Sequence, residues 1–251
     1  MAVEILTFTI HKGGTGKTTT AAAIAQAAVR DGKKVLAIDL DPQGNLTYQL
    51  GVQRAREGGS YGLITKGLFY GDVLETTEKG LDVIPTSWNL SAITSGQGTA
   101  QRLKKALAPA KKVYDLIVID TPPTMGELQY NALQAATGII IPLEADAFSI
   151  NALGQLLTAI KPFKQTNRRL QIKGVLVARY DGRSTLRKQM LEQIKNQVDI
   201  LGLPYLGTIR NGIAVSEAAT MKQSLFDYAP KSKPAQDYIQ VYKKLFSTNN
   251  K

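Results

Sequence analysis

The chain contains no cysteine, one histidine and one tryptophan. The lack of cysteine excludes disulfides, thiolate metal sites and iron–sulfur clusters held by cysteine. With a single histidine, a histidine-based zinc centre or a Ser–His triad is hard to build. The composition therefore excludes cysteine-based chemistry and disfavours histidine-centred chemistry.

Long apolar runs are also missing. No stretch approaches the ~20 apolar residues that a membrane-spanning helix needs. The N-terminal segment "MAVEILTFTI" has neither the basic region nor the cleavage-like end of a signal peptide. The 251 residues are 43% hydrophobic and 20% charged, which is typical of a globular chain with a substantial core. We expect a cytoplasmic protein whose first strand lies in this segment.

Positive charge is concentrated in one part of the chain. Residues 1–160 hold 14 basic and 14 acidic side chains, and residues 161–251 hold 17 basic and 6 acidic ones. The whole net charge of +11 therefore lies in the last third. Such a surface can serve solubility alone. Its concentration favours a face that binds a polyanion.

Apolar, β-branched runs alternate with helical patterns along the chain. Continuous apolar runs are typical of strands that are buried on both faces. Alternation with short connections predicts an α/β fold, a single-domain (1–251) doubly wound, mostly parallel sheet with helices on both faces. The stretch "QRAREGGSYG" (53–62) is predicted to be a loop. The predicted strands are 3–10, 34–39, 81–85, 114–120, 138–143, 172–178 and 204–209, and the predicted helices are 17–30, about 99–108, 127–136, 149–160, 184–200 and 234–247.

The first predicted strand runs into a glycine-rich stretch, "IHKGGTGKTTT" (10–20), and then into an Ala-rich helix. In this setting, backbone N–H groups and a helix N-terminus face phosphates. Glycines let the backbone approach the anion closely. Lys17 is predicted to reach the β- and γ-phosphates, and the Thr18 hydroxyl to bind Mg²⁺. The predicted nucleotide-binding residues of the loop are Lys12, Gly13, Gly14, Thr15, Gly16, Lys17, Thr18 and Thr19.

The loop departs from the usual P-loop pattern G-x-x-x-x-G-K-[ST]. His11 occupies the position of the first glycine, and Lys12 adds a second lysine. The pattern x-K-G-G-x-G-K-[ST] is the deviant Walker A motif. We interpret His11 as a structural loop residue.

With this motif in place, the chain resembles the deviant Walker A ATPases of the ParA/MinD class, and the ParA/Soj partition ATPases most closely. The resemblance covers nearly the whole chain and implies ATP and Mg²⁺ as cofactors, weak intrinsic ATP hydrolysis and an ATP-dependent homodimer. It rests on "KGGTGKTTT" (12–20), "IDLDPQGNLT" (38–47), "YDLIVIDTPPTMGELQYNAL" (114–133), "IIIPLEADAFSINALGQLL" (139–157) and "GTIRNGIAVSEA" (207–218).

The resemblance gives Lys12 a role of its own. In the ATP-bound sandwich dimer of the family, the matching lysine crosses the interface and touches the phosphates of the other subunit. A cation supplied in trans would offset the charge that develops on the transferred phosphoryl group. Asp41 matches the family residue that orients the attacking water, so the predicted catalytic residues are Lys12, Lys17 and Asp41.

Carboxylates at two strand ends complete the predicted site. Asp120 ends the run "LIVI", where a Walker B aspartate holds the water shell of Mg²⁺. By resemblance Asp39 lies near the same ion, and the alternative is that Asp39 only caps the following turn. Thr18, Asp120 and Asp39 are thus the predicted metal site. Asn211 matches a position that contacts adenine, although the family usually has proline where this chain has Ile209.

The family offers DNA binding or membrane binding as the output of the ATP switch. The basic residues of the last third are poor in aromatic neighbours, which suits contact with the phosphate backbone without base reading. The helix 184–200 is expected to bury Leu186, Met190, Ile194 and Val198. The predicted DNA-binding residues are Arg183, Arg187, Lys188, Lys222, Lys231 and Lys233.

We therefore expect a nucleoid-associated DNA-partition ATPase that binds double-stranded DNA non-specifically. The first strand starts at residue 3, so no helix–turn–helix for operator recognition is expected before it. By resemblance, a ParB-type centromere-binding protein stimulates hydrolysis and releases the DNA.

Three alternatives compete with this expectation. A MinD-like protein would bind membranes through "AQDYIQVYKKLFSTNNK", but the stripe of Tyr238, Tyr242 and Phe246 also fits a helix docked on the sheet. A nitrogenase-reductase-like protein needs cysteines. A metabolic P-loop ligase of the dethiobiotin type would lack "DLDPQGN" and "TIRNGIAVSEA". DNA is favoured over the membrane.

Overall fold

The computed structural model describes residues 3–67, 71, 74–77, 79–93 and 101–247. Its strands are β1 (Glu4–Phe8), β2 (Val35–Asp39), β3 (Glu75–Thr76), β4 (Asp82–Ile84), β5 (Leu116–Asp120), β6 (Gly138–Leu143), β7 (Gln171–Tyr180) and β8 (Tyr205–Arg210). They form one sheet in the order β3-β4-β2-β5-β1-β6-β7-β8. Every neighbouring pair is parallel except β3 and β4. The predicted doubly wound, mostly parallel sheet is confirmed.

Helices cover both faces of this sheet. They are α1 (Lys17–Arg30), α2 (Asn45–Gln49), α3 (Gly59–Thr65), α4 (Arg102–Ala106), α5 (Glu127–Ala135), α6 (Ser149–Ala159), α7 (Lys161–Thr166), α8 (Thr185–Ile200), α9 (Ile213–Thr220), α10 (Leu225–Tyr228) and α11 (Lys233–Ser247).

Successive side chains of a strand point to opposite faces of the sheet, so alternate residues pack in different hydrophobic cores. In β1, Leu6 and Phe8 pack on the face that α1 and α11 cover. Ile5 packs on the other face, which α3, α4 and α5 cover. Beyond β6, that second face continues under α6 and α8. Burial on both sides explains why the central strands are continuous apolar runs.

The strand order changes direction at β1, which lies between β5 and β6. Ligands of open α/β sheets bind outside the carboxyl ends of the strands at such a point. There, Phe8 pairs in register with Asp120, and Asp120 pairs with Asp39 of β2. The glycine-rich loop after β1 therefore lies beside both aspartates.

Three local predictions differ from the structure. The predicted loop 53–62 ends in helix α3, which starts at Gly59. The helix predicted over about 99–108 is α4 (Arg102–Ala106), and residues 94–100 lie outside the described residues. Leu186 of α8 is 63% exposed rather than buried. The buried face of α8 is Leu191, Ile194 and Val198, and at 100° per residue Leu186 lies roughly 110° away from their mean direction.

The C-terminal helix α11 packs its apolar stripe on the sheet. Tyr238 and Val241 are 2% exposed, Tyr242 6% and Leu245 7%. This is the arrangement of a docked helix, the alternative that the sequence left open for this segment. Among the described residues, no helix combines the length and apolarity that crossing a membrane requires.

Candidate nucleotide-binding site

The loop between β1 and α1 depends on two glycines in the left-handed region. Gly14 has φ 77° and Gly16 has φ 82°, a conformation that costs an L-residue about 1–2 kcal/mol. A Cβ on Gly16 would also lie 3.1 Å from the Cβ of Ala178 in β7. Helix α1 begins directly afterwards at Lys17, so its N-terminus follows the loop without a spacer.

Lys17 is buried within this loop. Its side chain folds back so that Nζ donates to the carbonyl of Lys12 at 2.9 Å, and the residue is 7% exposed. Burial lowers the pKa of Lys17, and the charges of Asp120 and Asp41 oppose that shift. The ammonium group is thus fixed between the loop and two carboxylates, which suits contact with a phosphate chain.

Asp120 and Thr18 form the part of the site that can hold a metal. The Thr18 hydroxyl donates to Oδ2 of Asp120 at 2.6 Å, and Oδ1 of Asp120 is buried without a hydrogen-bond partner among the described residues. Burial, followed by the charge of Asp39, raises the pKa of Asp120 well above its usual value. An unpartnered carboxylate oxygen beside a hydroxyl is a hard donor set that fits Mg²⁺.

Such a donor set is incomplete by itself. Among the described residues, no cluster of three or more histidine, cysteine or acidic side chains could hold a metal ion. Mg²⁺ usually takes one or two protein oxygens together with waters and substrate phosphates. The site therefore fits Mg²⁺ that arrives with a nucleotide.

Asp39 is fully occupied by protein donors. Its Oδ2 accepts from the Thr47 amide at 2.8 Å and the Thr47 hydroxyl at 2.7 Å, and its Oδ1 accepts from the Asp41 amide at 3.0 Å. Burial raises its pKa to about 6. These bonds order the segment after β2, so the geometry favours the turn-capping alternative for Asp39 over a metal contact.

Asp41, unlike Asp39, lines a cavity beside the glycine loop, called the nucleotide cavity below. One carboxylate oxygen accepts from the Gln43 amide at 2.9 Å, and its carbonyl accepts from the Thr86 hydroxyl at 2.8 Å. Asp41 lines the same cavity as Lys17. It is therefore the carboxylate that could orient a water beside the phosphates.

Lys12 makes different contacts from Lys17. Its Nζ donates to the carboxylate of Asp146 and lies 3.4 Å from the Ser149 hydroxyl. Burial opposes ionisation of Asp146, but the hydrogen bond and charge of Lys12 outweigh it and lower the pKa of Asp146. Lys12 is not among the residues that line the cavity. Sequence spacing could not pair residues 134 positions apart, although Asp146 stands in a segment that carried the family resemblance.

The cavity has a volume of about 680 Å³ and extends from the glycine loop to the start of α9. Asn211 lines its far end, where the Asn211 amide donates to the Tyr180 carbonyl at 2.9 Å. The preceding Arg210 is held by Asp237 through bonds of 2.6 and 2.8 Å. The cavity thus brings all of the predicted nucleotide-binding residues of the loop except Lys12 together with the predicted adenine contact, Asn211.

Sequence reasoning missed Arg179, another residue of this cavity. Arg179 has φ 54°, which is unusual for a residue other than glycine. Its Nη1 donates to the Gly14 carbonyl at 3.0 Å and lies 3.2 Å from a carboxylate oxygen of Glu144. Backbone strain at one position leaves no sequence pattern, so no signal could have found it.

His11 links the loop to helix α5. Its Nε2 lies 3.1 Å from Oε1 of Gln129, and the Gln129 amide donates to the Thr9 hydroxyl. Burial lowers the pKa of His11. These contacts agree with a structural role.

Comparison with known proteins decides the family. A family model described as an AAA domain matches residues 3–172. The sporulation initiation inhibitor protein Soj of Bacillus subtilis is 34% identical over 249 residues, covering 96% of this chain and 98% of that protein. The chromosome partitioning protein ParA of Caulobacter vibrioides is 33% identical over 254 residues, covering 98% and 94%. The chain belongs to the ParA/Soj family of partition ATPases.

A solved structure agrees with this assignment. Cobyrinic acid a,c-diamide synthase from Mycobacterium smegmatis, solved with bound ADP and magnesium, superimposes with a TM-score of 0.82 at 29% identity and covers 96% of this chain and 93% of its own. As a ParA/Soj family member, this protein is an ATPase whose cofactors are ATP and Mg²⁺.

The basic residues predicted to bind DNA are all exposed in this partition ATPase. Arg183 is paired with Asp181 at 2.6 Å, and the Nζ of Lys222 lies 5.0 Å from the ring centroid of Tyr48. Nη1 of Arg187 lies 3.4 Å from the Arg179 carbonyl. No described acidic side chain forms an ion pair with the remaining residues Lys188, Lys231 and Lys233.

Proposed function

We propose that this ATPase partitions DNA: an ATP-bound sandwich dimer binds double-stranded DNA without sequence preference, and hydrolysis releases it. The observation that carries the proposal is the set of exposed cations Lys188, Lys231 and Lys233, which form no ion pair with a described acidic side chain. They lie in the third of the chain that holds all of the excess charge. Phosphate contacts of this kind bind DNA independently of sequence. Doubling them in a dimer raises the affinity steeply through avidity.

The dimer step rests on Lys12. Lys12 belongs to the phosphate-binding motif, yet its side chain contacts Asp146 and does not line its own cavity. A lysine displayed in this way can reach the phosphates of a second copy. Large exposed apolar side chains also favour a contact between copies, because Phe148, directly before α6, is 73% exposed and Ile213, the first residue of α9, is 75% exposed.

Residues of the two subunits carry out the ATP hydrolysis that releases the DNA. Lys17 contacts the phosphates, Asp41 orients the attacking water, and the partner subunit's Lys12 offsets the developing charge. Thr18 and Asp120 would hold Mg²⁺, which would supply Lewis-acid stabilisation of the phosphate oxygens. Intrinsic hydrolysis is slow, and a ParB-type centromere-binding protein accelerates it. The protein then acts on the nucleoid.

The test measures binding of a labelled random-sequence duplex by fluorescence anisotropy with ATP, with ADP and without nucleotide. Each series is repeated across salt concentrations and with the Lys12→Ala variant. We expect ATP-dependent binding that falls steeply with salt, and we expect Lys12→Ala to bind ATP without dimerising or binding DNA. The proposal would be contradicted if the wild-type protein did not bind DNA with ATP, with ADP or without nucleotide.

The same preparation tests the MinD-like alternative with anionic liposomes. The burial of Tyr238 and Val241 against the sheet disfavours it, because α11 would have to undock to present its apolar stripe. ATP-dependent sedimentation with liposomes, together with no DNA binding, would establish the alternative.

A further inference from the structure

A second cavity, of about 320 Å³, lies at the opposite end of the sheet from the nucleotide site. It is lined by Val3 and Ile5, at the start of β1, and by Ala135 and Thr137, which lie between the end of α5 and the start of β6. These are amino ends of parallel strands, whereas the nucleotide loop follows the carboxyl end of β1. The two cavities therefore share no lining residue.

Two basic segments that are distant in sequence meet at this cavity. Residues 101–113 contain five basic and no acidic side chains, and residues 161–169 contain four basic and no acidic ones. Four of these cations line the cavity, and no described acidic side chain forms an ion pair with any of them: Lys104, Lys111, Arg168 and Arg169.

Lys111 lies close enough to Lys104 and Arg169 for their positive charges to act on it. The pKa of Lys111 is lowered by burial first, and then by the charges of Lys104 and Arg169. Glu4 lies near the cavity, but its carboxylate is already engaged by Lys173 at 3.0 Å and by the Thr137 hydroxyl at 2.8 Å. Partly buried charge without a counterion is costly. The folded chain therefore carries positive charge here that an anion would neutralise.

The backbone that precedes the exposed arginine pair Arg168 and Arg169 is also held in place. The side-chain amide of Asn167, which is 5% exposed, donates to the carbonyls of Leu133, Gln134 and Ala136 at 2.9, 3.2 and 2.8 Å. These bonds tie the segment before Arg168 to the end of α5. A site whose backbone is fixed before binding spends less free energy on ordering.

We propose that this cavity binds a compact anion carrying two or more phosphate groups, independently of the nucleotide site. Lysine and arginine donate charge-assisted hydrogen bonds to phosphate oxygens. The volume lies at the lower end of the ~300–1,000 Å³ of small-molecule sites, so an oligophosphate fits and a DNA duplex does not enter. The charge and the size together define the ligand class.

The test titrates inorganic tripolyphosphate into the protein by isothermal calorimetry, with the nucleotide site kept saturated by ADP in magnesium-free buffer, because tripolyphosphate chelates Mg²⁺. Lys104→Met/Lys111→Met removes two cavity cations and keeps their alkyl stems. The matched control is Lys105→Met/Lys112→Met, which removes the same charge from exposed neighbours that do not line the cavity. We expect one tripolyphosphate per chain, about tenfold weaker binding in the cavity variant and less than about twofold in the control.

Folding and DNA binding are checked on the same variants. Without tripolyphosphate, the cavity variant should melt no earlier than wild type, because removing repelling charges does not destabilise the chain. No binding by wild-type protein, or an equal loss in both variants, would overturn the proposal. It would also be overturned if the cavity variant lost more DNA affinity than the control, since the cations would then serve DNA.

Discussion

The two lysines of the phosphate-binding motif face different partners. Lys17 lines the nucleotide cavity, whereas Lys12 is held by Asp146 on the loop before α6. The side chains of Lys12 and Asp146 are 20% and 33% exposed. Solvent-accessible ion pairs contribute about 0–1 kcal/mol, so this contact costs little to exchange for a contact with a triphosphate. In a single chain, Lys12 can thus remain paired with Asp146 until a second copy offers it a phosphate.

The variant Asp146→Asn tests whether the ion pair with Asp146 competes with dimerisation for Lys12. Asparagine keeps the size and the acceptor for the Phe148 and Ser149 amides, but it removes the charge that competes for Lys12. We expect ATP-dependent dimerisation to become about two- to fivefold tighter, which corresponds to up to about 1 kcal/mol. Analytical ultracentrifugation with a non-hydrolysable ATP analogue measures it.

Asp181→Asn is the matched control, because Asp181 forms an exposed pair with Arg183 and does not line the nucleotide cavity. It should leave dimerisation unchanged. Weaker dimerisation of Asp146→Asn would indicate that Asp146 instead contributes a contact to the dimer.

Asp39 and Asp41 are two positions apart and should separate stability from activity. Asp41→Ala is expected to bind ATP and DNA while losing at least about 100-fold in turnover, the scale of a lost catalytic carboxylate. Asp39→Ala leaves the Thr47 hydroxyl and two buried amides without their acceptor, so we expect a loss of about 2–4 kcal/mol of unfolding free energy. Phosphate-release assays and urea unfolding measure the two effects. The assignment of catalysis to Asp41 and of stability to Asp39 is wrong if both variants lose turnover and unfolding free energy to the same extent.

At the scale of elements, the loop between β1 and α1 determines whether the site exists. Gly16→Ala combines a positive φ with a Cβ contact of 3.1 Å to Ala178. We expect the nucleotide-free protein to lose about 1–3 kcal/mol of unfolding free energy and to bind ATP much more weakly.

Gly13→Ala supplies the control within the same loop. A Cβ there has no heavy atom within 4 Å, and Gly13 is not among the glycines with positive φ. Its thermal midpoint without nucleotide should match wild type. Equal destabilisation by both substitutions would show that the loop tolerates no side chain for reasons other than backbone geometry.

The sequence predicted those parts of this architecture that repeat along the chain. Central strands such as β5 are continuous apolar runs, and the glycine loop is a contiguous motif, so both could be predicted. The partners of Lys12 and the strained backbone of Arg179 depend on contacts between distant segments. Leu186 was placed wrongly because helical periodicity sets spacing but not which face of α8 meets the sheet. Tertiary packing decides that face.

At the scale of the whole molecule, only some of the 17 basic side chains in the last third are free to contact a polyanion. Arg210 is bound to Asp237, Lys195 to Glu192 and Arg183 to Asp181. Each of these pairs lies within the basic third, so it reduces the number of free cations there without changing the net excess of +11. Binding to DNA should therefore depend on the unpaired lysines more than on the net charge.

The triple variant Lys188→Ala/Lys231→Ala/Lys233→Ala separates these possibilities. Each lost phosphate contact lowers the slope of log affinity against log salt by about 0.9, so up to about five units are expected for a dimer that loses six contacts. Lys34→Ala/Lys66→Ala/Lys112→Ala removes the same charge from exposed positions in the balanced part of the chain, where these lysines form no ion pair with a described acidic side chain, and its slope should stay close to wild type. Neither set of residues lines the nucleotide cavity, so ATP binding should be unchanged in both variants. An equal loss of slope in both would mean that DNA responds to the net charge of the molecule and not to a defined face.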